Sequence, residues 1–206
     1  MGDFFNMDSP FMDFMMKVAD IVLINMIYVL CCLPIFTIGA ATTGMYYSML
    51  KLTEDRGSSS VKSFFHSFKD NFIQATAIWL IIILLGALLG IEYFVVQIYA
   101  GGMQKAIEIV MVIPAVVLLM LMTYVFAVLA KFDNTVGQTM KNAVLLAISN
   151  LPYTVIMLLL NVLPYAICIY SIRMLPISVM IGFAGVAYIN SILFLKIFRK
   201  LIPEEE

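Results

Sequence analysis

Residues 31–52 read CCLPIFTIGAATTGMYYSMLKL. A proline, three threonines and two glycines sit inside an apolar run that meets its first charge only at Lys51. Four readings compete: a cleaved signal, a plain membrane span, a bent helix and a binding site. The flanking sequence decides among them.

Of 206 residues, 63% are hydrophobic and 12% charged. That charge content is about half the share usual in a soluble domain. Five long charge-free stretches follow one another: Ile21–Leu50, Asn71–Ile91, Ile109–Ala130, Asn142–Ile172 and Met174–Leu195. Each exceeds the roughly 20 apolar residues that carry a helix across a hydrocarbon core. None alternates with period two as a barrel strand does. The class is therefore all-α, a polytopic transmembrane bundle of about five spans forming one membrane domain. The expected spans are 21–50, 71–91, 109–130, 142–166 and 176–197, with 1–20 an outer amphipathic tail and 51–70 a cytoplasmic amphipathic loop. The net charge of −1 carries no basic footprint for nucleic acid.

Lysine and arginine favour cytoplasmic loops. With five spans, Lys51, Arg56, Lys62, Lys69, Lys131, Lys141, Lys196, Arg199 and Lys200 fall on one side, and Lys17, Lys105 and Arg173 on the other. This alternation predicts an outside N-terminus and a cytoplasmic C-terminus. The acidic tail, with Asp3, Asp8 and Asp13, lacks the basic start of a secretory signal. Phe11, Phe14, Met15 and Val18 recur at helical spacing, as in a short helix lying on a membrane.

The first run, Ile21–Leu50, has 30 residues. A straight helix of that length measures about 45 Å, more than the hydrocarbon core. Pro34 lacks an N–H and its ring clashes with the Leu30 carbonyl, so the first span is expected to kink there. Thr37, Gly39 and Gly44 supply a small-residue surface for close packing. One bent span is favoured; a broken re-entrant pair is the alternative. In the second run Gly86 and Gly90 form a GxxxG pattern, expected to serve helix packing within the chain.

In the first loop, Phe64, Phe65 and Phe68 share one helical face, with Lys62, His66 and Lys69 elsewhere. The third loop repeats the idea more weakly. Phe64, Phe68, Lys69, Asn71, Lys141 and Asn142 are thus candidate partner-docking residues, with interfacial anchoring as the plainer role. The three cysteines have no metal-ligand spacing, the single His66 stands alone, and no hydrolase, zincin or phosphate-loop motif occurs. No enzyme activity, cofactor or metal is expected.

Asn25, Leu33-Pro34-Ile35, Thr37-Ile38-Gly39-Ala40-Ala41-Thr42 and Tyr46-Tyr47 together resemble the YesL family, small integral membrane proteins of Firmicutes with no established biochemical activity. FFHSFKDNFIQATAIWLI (64–81) and KNAVLLAISNLP (141–152) are similar to it too. The resemblance implies a bacterial plasma-membrane protein associated with carbohydrate use and ABC-type sugar importers. It implies no reaction. The expected role is an accessory or regulatory component of carbohydrate uptake; the alternative is a stand-alone small-solute transporter or channel acting as an oligomer. Whether the bend at Pro34 shapes a cleft or only a packing joint stays open at this level.

Overall fold

The computed structural model describes residues 10–54, 59–99, 101–170, 176 and 178–200. The expectations attached to Asp3, Asp8, Arg56 and Arg173 lie outside these residues. The bundle is all-helical, with no strand among the described residues. Its helices are α1 (Pro10–Cys31), α2 (Ile38–Thr53), α3 (Ser60–Asp70), α4 (Phe72–Tyr99), α5 (Gln104–Lys131), α6 (Val136–Ser149), α7 (Leu151–Tyr170) and α8 (Phe183–Phe198). Helices α1, α4, α5 and α8 with its preceding π-turn are long and apolar enough to cross a membrane, and the bent pair α6–α7 makes a fifth element.

The first run is not one kinked span. Helix α1 starts at Pro10, inside the stretch expected to be an outer tail, where a missing N–H costs nothing in a first turn. It ends at Cys31, ahead of a 3₁₀ turn at Ile35–Thr37, and α2 then begins at Ile38. Pro34 has no N–H to continue the ladder, and it disfavours helical geometry at Leu33 before it. The helix therefore breaks instead of bending.

The chain also turns back at this break. Asn25 Oδ1 accepts from the Ala184 N–H at the start of α8. Five residues earlier in α1, Asp20 accepts from Ser60 Oγ, and the Ser60 carbonyl accepts from Ser48 Oγ in α2. Ser48 lies close along α2 to Tyr46, whose ring meets Phe194 late in α8. So α1 runs antiparallel to α8. Tyr124 and Phe132 meet Phe194 and Phe198 edge to face, so α5 and α8 run parallel. Trp79–Phe126 and Gln97–Glu108 contacts set α4 antiparallel to α5. One face of the bundle consequently holds the start of α1, the ends of α2, α5 and α8, and the α5–α6 loop.

The described chain starts and ends on the same face of the bundle, because the reversal at residues 32–37 brings α2 back toward the start of α1. Among the described residues, Lys17, Lys51, Lys62, Lys69, Lys131, Lys141, Lys196, Arg199 and Lys200 belong to that end, and Lys105 to the other.

The expected 142–166 span also breaks. Helices α6 and α7 meet at Asn150 with a bend of 106°. Pro152 falls in the first turn of α7, while Pro164 lies within it. Helix α6 is closed by a capping box: Thr135 Oγ1 accepts from the Gln138 N–H, and the Gln138 side chain accepts from the Thr135 N–H.

Helix α2 occupies the centre. Gly39, Ala40, Ala41, Thr43 and Gly44 are all buried. Thr42 and Thr43 turn their hydroxyl hydrogens back onto the Ile38 and Gly39 carbonyls, and α2 shows neighbours a shallow surface of small residues. Shallow surfaces let helices approach closely where lipid supplies no hydrophobic drive between them.

Candidate functional site

Three features of the bundle bear on function: the sealed α1–α2 turn, a polar cleft and an intramembrane cavity. At the turn, Trp79 Nε1 donates to the Ile35 carbonyl at 2.8 Å. Trp79 stands seven residues into α4, roughly 10 Å along it, so the turn lies within the depth of a long apolar helix. Irregular backbone at such depth needs internal partners. Thr37 supplies them: its hydroxyl contacts the Cys31 and Pro34 carbonyl oxygens, and its N–H donates to the Pro34 carbonyl at 3.0 Å.

Gly39 and Gly44 fit the turn to its neighbours. A Cβ on Gly39 would overlap the Ala75 carbonyl oxygen and come within 2.8 Å of Trp79 Cβ. A Cβ on Gly44 would lie 2.9 Å from the Phe64 carbonyl oxygen. Gly86 and Gly90 differ. The nearest atom to a Cβ on Gly86 is a Leu118 methyl at 3.8 Å, and Gly90 faces open space. The GxxxG pattern is therefore not a close-packing joint within this chain.

The cleft sits at the face shared by the termini and measures about 700 Å³. Tyr47, His66, Asp70, Asn71 and Gln74 line one side, and Lys131, Asp133, Asn134, Thr135 and Gln138 the other. Lys131 Nζ pairs with Glu54 Oε1 at 2.7 Å, which anchors the end of α5 to the end of α2. His66 Nδ1 lies 2.9 Å from Asp70 Oδ2 on the exposed face of α3. Asn71 Nδ2 donates to the Ser67 carbonyl and Oγ at the α3–α4 junction.

The candidate docking residues scatter. Phe64 is fully buried against Gly44, and Phe68 stacks on it, so both are scaffold. Asn71 lines the cleft. Lys69 and Lys141 are exposed, and Asn142 is half-buried; none of the three is among the cleft-lining residues. His66, Gln74, Asp133 and Gln138 were missed as a group, because they come from four separate elements with no common spacing.

The cavity measures about 300 Å³ and lies between α1, α2, α4, α5, α7 and α8. Its wall is largely apolar, with Tyr28, Thr42, Tyr46, Trp79, Thr123 and Asn161 carrying its polar side-chain groups. Asn190 Nδ2 donates to Asn161 Oδ1 at 2.8 Å and reaches Tyr46 Oη at 3.5 Å. Among the described residues no group of His, Cys, Asp and Glu is placed to hold a metal ion.

The fold defines a polytopic helical-bundle membrane protein whose first helix is followed by a helix that turns back along it. Residues 21–93 are similar to a family described as a protein of unknown function, DUF624. The match runs from within α1 to within α4 and so covers the reversal, α2, Gly39, Gly44 and Trp79. No curated protein and no solved structure matches the chain.

Proposed function

We propose that this chain is a non-enzymatic accessory subunit of carbohydrate uptake in a bacterial plasma membrane, seated beside an ABC-type sugar importer. The cleft face is read as cytoplasmic, because nine of the ten basic residues in the described chain belong to it. The observation that carries the docking role is the cleft: an open polar recess held rigid by the Lys131–Glu54 pair and the α3–α4 junction. A cytoplasmic segment of the importer is its occupant. The sugar link is supported by the resemblance at residues 25–47 and 64–81. The test is photo-crosslinking from Asp133 in sugar-induced native membranes, followed by co-purification. Capture of an importer subunit supports the role; repeated recovery with no importer subunit removes it.

A second reading, a stand-alone transporter for small solutes, is favoured by the intramembrane cavity. It predicts solute flux in liposomes that contain this protein alone. Silent liposomes across a sugar panel would eliminate it.

A further inference from the structure

We propose that the intramembrane cavity binds a small uncharged polyol, either free in water or as the glyceryl headgroup of a neutral lipid. The reading uses no cleft residue, so it stands or falls apart from the importer role. Charge is the first argument. No acidic or basic side chain lines the cavity. A charged ligand would find no counter-charge there, and unpaired charge at membrane depth is costly.

The second argument is the kind of hydrogen bond the wall offers. Thr42 Oγ1 donates to the Ile38 carbonyl at 2.7 Å, and Thr123 Oγ1 to the Leu119 carbonyl at 2.9 Å. Each hydroxyl has one hydrogen, so both present only lone pairs to the cavity. Behind the wall, Asn190 Oδ1 is buried with no partner among the described residues. Asn161, its Oδ1 taken by Asn190, brings an amide N–H₂ with no partner among the described residues. The site therefore asks for a neutral ligand that can donate, to Thr42 and Thr123, and also accept, from Asn161. Hydroxyl groups do both. An acyl chain does neither, and it leaves the Asn161 amide N–H₂ without an acceptor.

The third argument is shape. A volume of about 300 Å³ is at the small end of ligand sites, and such sites are mostly apolar with a few convergent polar groups. Trp79, Phe126 and Phe183 supply ring surface for the carbon body of a polyol.

The test uses the full chain in phosphatidylcholine nanodiscs, prepared without glycoside detergent. Trp79 is the single tryptophan and lies on the cavity wall, so its emission reports occupancy. The probes are D-glucose, glycerol and 1-monooleoylglycerol. Glucose 6-phosphate and methyl oleate serve as charged and hydroxyl-free controls. A saturable change with glucose or glycerol assigns a water-borne polyol; a change with monooleoylglycerol alone assigns the lipid headgroup. Thr42→Val and Thr123→Val should each weaken binding roughly fivefold while the helical signal is retained. Should one variant fail to fold, the other is read alone. The proposal is overturned by no saturable response to any of the three probes, by an equal response to either control, or by wild-type affinity in the folded variants.

Discussion

Replacing Gly39 by alanine tests the fold at its tightest point. In an ordinary helix interior this change stabilises by about 0.5–1 kcal/mol, since alanine loses less backbone freedom on folding. Here the added methyl would overlap the Ala75 carbonyl oxygen and meet Trp79 Cβ at 2.8 Å. Neither neighbour is the free end of a flexible side chain, so α2 and α4 must separate. Overpacking of this kind costs about 1–3 kcal/mol. The separation also pulls Trp79 Nε1 from the Ile35 carbonyl, now 2.8 Å apart, and a polar group left unpaired facing hydrocarbon adds about 1–3 kcal/mol. The net expectation is a destabilisation of about 2–4 kcal/mol, opposite in sign to helix propensity. Gly90→Ala is the internal control, because open space surrounds that position and propensity alone should act. Reversible unfolding in mixed micelles, followed by circular dichroism and Trp79 emission, measures both. A Gly39→Ala protein as stable as the parent, or one shifted equally with Gly90→Ala, would refute the close approach of α2 to α4.

Three other outcomes are expected. Thr37→Val strands the Cys31 carbonyl, while the Pro34 carbonyl keeps the residue-37 N–H; stability should fall by about 1–3 kcal/mol, with Thr37→Ser restoring most of it in the same unfolding assay. Glu54→Gln leaves Lys131 partly buried without its carboxylate; stability should fall by about 1–3 kcal/mol, and the Glu54→Gln/Lys131→Met double variant should recover much of the loss in a double-mutant cycle. Cysteines placed at Met12 and at Lys200 should react with a membrane-impermeant maleimide from the same side of sealed vesicles, and labelling from opposite sides would refute the reversal at residues 32–37.

What was legible in the sequence follows from what a membrane lets a sequence show. Asn71–Ile91 and Ile109–Ala130 read directly as spans, and α4 and α5 contain them, because length and lack of charge suffice to mark a crossing. Both helices run further, to Tyr99 and back to Gln104, since nothing stops a helix once it passes Glu92 or Glu108. The reversal between Cys31 and Ile38 was hidden for the opposite reason. In water a turn is marked by polar residues, but at membrane depth its carbonyls are met by one threonine and one distant tryptophan. Pro34 signalled that the helix was disturbed; only the partners of Thr37 and Trp79 show that it turns back. The cavity was less legible still. Asn25 and Ala184, or Tyr46 and Asn190, are brought together by the fold from opposite ends of the chain.

The same reversal changes the meaning of the charges. With a single kinked first span, Lys17 sat on the outer side as an exception to the basic bias of the loops. With α1 and α2 as a returning pair, Lys17 joins Lys51, Lys131 and Arg199 at one face, and Lys105 is left as the described exception. A structural change derived from hydrogen bonds thus strengthens a charge asymmetry that played no part in deriving it. The positive-inside bias acts on short loops and helix ends. Hydrogen bonds and charge distribution thus mark, independently, the same end of the bundle, where the two ends of the described chain meet.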